Sequence, residues 1–140
     1  MSTLQSQQKP SKKPRLNTEL VPVVFGILKD KPGKVSSAPV IKILLDSGAS
    51  STLIIERFVQ NLKLKKNTKT TKCRTTAGVF ETNKLVDLQF ILPELYEGRT
   101  ICATAHITKQ LGQYDMILGR DILRELGIVI DFKEETIIWD

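Results

Sequence analysis

The sequence predicts an all-β barrel carrying one or two short helices, and three observations predict it. At 140 residues, 41% hydrophobic and 26% charged, the chain has the size and composition of one folded domain with one core. Short runs rich in β-branched residues recur along it, separated by Gly, Pro and polar turn signals. Helical spacing occurs in only two stretches, and both are short.

The first residues, MSTLQSQQKPSKKPRLNTEL, are rich in Ser, Gln, Lys and Pro. Such a composition buries too little apolar surface to offset the entropy of ordering, so residues 1–21 are expected to form a disordered basic arm and residues 22–140 the folded domain. Residues 1–34 hold seven Lys/Arg against two acids, whereas residues 35–140 hold fourteen against thirteen, so most of the net charge of +6 belongs to the front of the chain. Lys9, Lys12, Lys13 and Arg15 suit a nucleic-acid-binding tail or a nuclear address, a solubilising leader being the plainer reading. Nucleic acid enters as a partner only through this arm.

VPVVFGIL at 21–28 and APVIKILLD at 38–46 flank a Pro32-Gly33 turn and predict a hairpin. In TLIIERFVQNLKL, Ile55, Phe58, Val59 and Leu62 recur at three- and four-residue spacing and predict a short helix. KTTKCRTT and FETNKLVDLQFIL flank TAGV, which predicts two strands and a projecting turn at Gly78. RTICATAHIT alternates Ile101, Ala103, Ala105 and Ile107 with Cys102, Thr104, His106 and Thr108. It is expected to be a strand with a solvated His106 on its non-core face. YDMILG predicts another strand. In RDILRELG, Ile122, Leu123 and Leu126 predict a helix capped by Gly127, and IVIDF and TIIWD predict strands around a KEE turn.

No run reaches the 18 apolar residues of a membrane span, and no apolar leader opens the chain, so the expected protein is soluble and intracellular, with no membrane partner. Cys73 and Cys102 stand 29 positions apart without CxxC spacing and read as free thiols. With one histidine, no metal site and no cofactor are expected. Asp115 and Asp121 suit a strand end and a helix start, where carboxylates satisfy free backbone donors.

The chemistry gathers at Ile43-Leu44-Leu45-Asp46-Ser47-Gly48-Ala49-Ser50, where an apolar strand delivers one carboxylate to a tight loop. Gly48 permits close approach, and the hydroxyls of Ser47 and Ser50 can hold the loop. Asp-Ser-Gly alone is also what ordinary turns use. Taken together with Thr76-Ala77-Gly78-Val79-Phe80 and Ile117-Leu118-Gly119-Arg120-Asp121-Ile122-Leu123, in this order, the loop resembles the retropepsins, the aspartic proteases of retroviruses and of Gypsy-type long-terminal-repeat retrotransposons. The resemblance covers about residues 22–140.

It implies a closed acid-protease barrel with a hairpin flap, one lobe per chain, Asp46 as the catalytic aspartate, Ser47 tying two active-site loops across a dimer, and Gly48 with Ala49 in the loop that meets substrate. Residues 75–81 correspond to the flap, an ordinary hairpin turn being the plainer reading. Leu53, Val79 and Ile117 fall near substrate pockets, and Gly119 and Arg120 in the segment that supports the loop. Many retroviral members carry an acid where Ser50 stands, paired with the arginine matched by Arg120, so the partner of Arg120 is open here. The implied localisation is cytoplasmic, within virus-like particles.

Hydrolysis without metal or covalent intermediate needs a base to activate water and an acid to protonate the leaving nitrogen. One carboxyl cannot be both, and the chain carries one copy of the motif, so a homodimer pairing two Asp46 side chains is expected. The two would share one proton, giving a bell-shaped pH profile that belongs to the pair. The expected substrate is an extended peptide, within a retrotransposon or retrovirus-like polyprotein. TIIWD is the candidate interface strand, with Trp139 there or in the core. Two rivals stand beside this reading: a non-catalytic dimerisation or peptide-binding module on the same barrel, and a nucleic-acid-binding protein.

Overall fold

The computed structural model describes residues 22–29, 39–60, 62, 64–76 and 78–140, and of residues 64–68 the backbone alone. The basic arm, the Pro32-Gly33 turn and Ala77 lie outside the described residues. Strands β1 (Val23–Lys29) and β2 (Val40–Leu45) pair antiparallel, with Val24 opposite Ile43, as the hairpin reading expects.

Strand β3 (Leu53–Ile55) replaces the first turn of the predicted helix, and only a 3-10 turn, Glu56–Phe58, follows it. All three residues of β3 are buried. Extended backbone sends Leu53 and Ile55 to one side and Ile54 to the other, which a helix could not do. The helical spacing of Ile55, Phe58 and Val59 is used by that single turn.

Strands β4 (Leu64–Thr75) and β5 (Gly78–Leu92) form the long projecting hairpin, closed by Thr75 opposite Gly78. Gly78 therefore opens β5, and the turn falls one step earlier than expected. A four-residue helix, α1 (Pro93–Tyr96), was not foreseen; Pro93 sits at its start, where no N–H is missed. Strand β6 (Glu97–Thr108) shows the predicted alternation of buried and outward residues. Strand β7 (Met116–Leu118), helix α2 (Arg120–Leu126) with left-handed Gly127 after it, and the hairpin of β8 (Val129–Asp131) and β9 (Thr136–Ile138) complete the chain as expected.

The main sheet runs β1-β2-β7-β3-β6-β5-β4, and β1 also pairs with β5, closing six strands into a barrel with β4 attached outside. Alternation along the three central strands builds two cores. Ile43, Leu45, Ile54, Met116 and Leu118 join the interior, together with Phe90, Ile122, Leu123 and Trp139. Leu44, Leu53, Ile55 and Ile117 point the other way, into a second cluster completed by Ala49, Cys73 and Leu111. Burial on both faces is why these strands read as unbroken apolar runs. Each fully buried Leu or Ile contributes about 1.5–3 kcal/mol.

Trp139 is fully buried, with Tyr96 edge-on at 6.1 Å and the Arg99 guanidinium 4.8 Å from its ring. It is core. His106 is half-buried, contrary to the solvated position expected, because the register sets it beside Leu53 on a face the second cluster covers. Its Nδ1 is buried with no hydrogen-bond partner among the described residues. Burial lowers the His106 pKa from its ordinary value, against a weaker opposing pull from the Asp121 charge.

Candidate active site

Strand β2 ends on Leu45, and Asp46 follows with its backbone N–H donating to the Leu118 carbonyl at 3.0 Å, so the parallel β2–β7 pairing carries on into the loop. Asp46 is 4% exposed, one of few buried polar side chains among the described residues. Three donors meet its carboxylate. Gly48 N–H donates to Oδ1 at 2.9 Å, while Thr76 donates to Oδ2 twice, from N–H at 3.0 Å and from Oγ1 at 2.9 Å. The first is the local loop bond that an Asp-Ser-Gly sequence favours. The Thr76 bonds arrive from the hairpin turn, thirty positions away.

The loop is held from below by a small polar network. Gly119 N–H donates to Thr52 Oγ1 at 3.0 Å, the Thr52 hydroxyl donates to Asp121 Oδ1 at 2.9 Å, and Thr52 N–H donates to Asp121 Oδ2 at 3.3 Å. Asp121 also accepts from Ile122 N–H at 2.8 Å, so it serves the helix start as expected and reaches the loop as well. Thr52 is fully buried, and sequence reasoning passed over it. Thr52 follows Ser50 and Ser51 and stands directly before the buried strand Leu53–Ile55, and a hydroxyl abutting that apolar run was the available signal.

The arginine left without a partner finds one. Arg120 donates from Nη1 to the Ser47 carbonyl at 3.2 Å and from its backbone N–H to the Ala49 carbonyl at 2.8 Å. A carbonyl in the loop thus does the work of a carboxylate at Ser50. Ser50 turns to the hairpin instead: its N–H donates to the Arg74 carbonyl at 3.0 Å, and Arg74 N–H reaches Ser50 Oγ at 3.4 Å.

The structure brings most of the singled-out residues together. Ala49, Leu53 and Ile117 are fully buried in the second cluster, with Leu53 opposite Ile117 in the β3–β7 pairing, and Phe80 packs against them. Cys73, also in this cluster, has its thiol pushed up by burial, a hydrogen bond with Ser51 opposing. Ser47 and Gly48 are exposed at the loop's rim, and Val79 stands 59% exposed, apart from the pocket group. Asp115 closes the strand end as expected, its Oδ2 accepting from Lys42 N–H at 2.8 Å. Neither cysteine is in a disulfide. Among the described residues no cluster of three or more His, Cys, Asp and Glu forms, and no helix is long and apolar enough to cross a membrane.

Comparison with known proteins gives three findings. The family model described as aspartyl protease matches residues 32–122. The retroviral protease-like domain of Ddi1 from Leishmania major superposes with a TM-score of 0.53 at 16% identity, covering 86% of this chain and 90% of that one. EIAV protease, solved with the inhibitor HBY-793, superposes at 0.50 and 23% identity, covering 79% and 92% respectively. No curated protein matches the chain.

Proposed function

This chain belongs to the aspartyl protease family and has the retropepsin-like barrel, and from that premise we propose that it is an endopeptidase whose active form pairs two copies through their Asp46 side chains. One observation carries the reading: a single buried carboxylate at the end of β2, in an Asp-Ser-Gly loop pinned to β7 and α2, in a chain that holds one such loop.

Two Asp46 carboxylates about 3 Å apart across a two-fold axis share one proton, because like charges at that distance resist joint ionisation. One copy then accepts a proton from the attacking water while its mate donates one to the leaving nitrogen. In this reading Ser47, exposed on the rim, meets the second copy, and Leu53 and Ile117, fully buried in the single chain, become apolar walls for substrate side chains once the hairpin lifts. The hairpin of β4 and β5 serves as the flap that covers an extended peptide. Val129 and Phe132, exposed at 54% and 58% on the β8–β9 hairpin, give the second copy an apolar surface to bury. The proposed substrates are junctions of a retrotransposon or retrovirus-like polyprotein, cut in the cytoplasm within particles.

The test is hydrolysis of a diverse peptide library at several pH values, with the native chain, with Asp46→Asn, and with a statine-containing inhibitor. Cleavage that vanishes in the variant and with inhibitor, follows a bell against pH, and loses specific activity on dilution supports the paired protease. A confirmed dimer that cuts nothing under any of these conditions points to a peptide-binding module on the same fold.

A further inference from the structure

We propose that in the single chain the β4–β5 hairpin latches the Asp46 loop shut through Thr76, so that substrate and second copy must both displace a self-contact before the site can work. The proposal rests on the reading of Asp46 as the catalytic acid. An ionised carboxylate offers about four acceptor positions, and three are occupied here by donors of the same chain. Both bonds from Thr76 fall on Oδ2, leaving that oxygen no free position for a water or a partner's carboxyl. Bonds to a charged acceptor are among the stronger ones a protein makes.

Two further contacts extend the latch along the strand. Ser50 and Arg74 exchange a pair of bonds, at 3.0 and 3.4 Å, much as neighbouring strands do. A methyl-sized group placed on Gly48 would stand 3.0 Å from Thr76 Cγ2, so no peptide backbone fits between loop and hairpin in this state. The bonds that would hold a substrate chain are made instead by the hairpin. On the side of Gly78, at φ +129°, an added Cβ would meet open space. Release of the turn at Thr76 breaks a few polar bonds while Cys73 and Phe80 behind it stay packed on the second cluster, as a reversible local opening requires. Apparent affinity for a ligand falls in proportion to the fraction of chains that are open.

The experiment uses the full chain at a dilution where sedimentation velocity shows single copies. Amide hydrogen exchange is followed across residues 74–80 in the native chain, in Thr76→Val, which keeps the shape and removes the hydroxyl, and in Ser50→Ala. Exchange about tenfold faster in each variant is expected for loss of one bond of this kind. The same variants should reach half-saturation with the statine-containing inhibitor at about tenfold lower concentration. Unchanged exchange in both variants overturns the latch. So does faster exchange with unchanged half-saturation, since the contact would then compete with nothing. Faster exchange in a chain that never binds the inhibitor, in native or variant form and even at a concentration where sedimentation velocity shows paired copies, leaves the hairpin contact standing and removes the catalytic reading beneath it.

Discussion

The Asp46 loop and the hairpin that covers it are both polar and both close to one carboxylate, yet they are held in different ways. Below the loop, backbone meets backbone: a Cβ on Gly119 would lie 2.4 Å from the Ser51 carbonyl oxygen. Above it, a Cβ on Gly78 would meet nothing within 4 Å. The loop is fixed by close packing and a buried network, whereas the hairpin turn is positioned by a few bonds that solvent can replace. In the proposed protease, which must hold its acid still and admit a chain of peptide, this division puts rigidity and mobility on opposite sides of one carboxylate.

Gly119→Ala tests the rigid side most severely. Gly119 has an extended backbone at φ −86° that any residue adopts, so the cost is steric alone. Neither the Ser51 backbone nor α2 can give way cheaply, and a loss of about 3 kcal/mol is expected, read from the urea midpoint. A midpoint within experimental error of the native chain would mean the loop is looser than its geometry. Thr52→Val comes next. It preserves shape but leaves the buried Gly119 N–H without its acceptor and removes a donor from Asp121, for an expected loss of about 2 kcal/mol. Should Thr52→Val prove neutral, the network is ornamental and packing alone holds the loop.

Gly78→Ala is the matching change on the mobile side. No atom obstructs the new methyl, so only the strain of a side chain at φ +129° remains, about 1 kcal/mol. Calorimetry should show a small fall in melting temperature, and amide exchange near Thr76 should change more than global stability does. Destabilisation as large as that of Gly119→Ala would erase the distinction between the two regions.

How much of this was legible in the sequence follows from the same division. The strand ends, the Asp46 loop and the Gly127 cap were readable because each depends on neighbours in sequence, as does the Gly48–Asp46 bond. Leu53, Ile54 and Ile55 were misread because three residues are too few to display a period, and a strand buried on both faces has no alternation to show. The bonds of Thr76 to Asp46 and of Thr52 to Asp121 span 30 and 69 positions, and no local pattern announces them. The resemblance to retropepsins placed the hairpin near the acid, but the identity of the side chain that meets it came only from the fold. His106 was placed on the correct face, but that face turned out to be covered.

His106 supplies the gentlest test, and it belongs to the packed side: its backbone N–H donates to the Thr52 carbonyl at 2.9 Å. Burial lowers its pKa in the folded chain, so a proton that the unfolded chain accepts near pH 6.5 is refused by the native state. Above that pH both states are neutral at His106, and stability is unaffected. As pH falls through the unfolded value, the unfolded state binds the extra proton and stability declines. The decline levels off once pH drops below the folded value and both states are protonated. Urea midpoints measured from about pH 7 down to about pH 5 should therefore fall less steeply in His106→Gln than in the native chain. The added loss in the native chain should appear in global unfolding and not in amide exchange of the hairpin turn, because His106 lies under the loop and Thr76 above it. Equal slopes would show that the His106 ring is open to water after all. A steeper slope confined to the hairpin would mean that the two sides of Asp46 are coupled rather than divided.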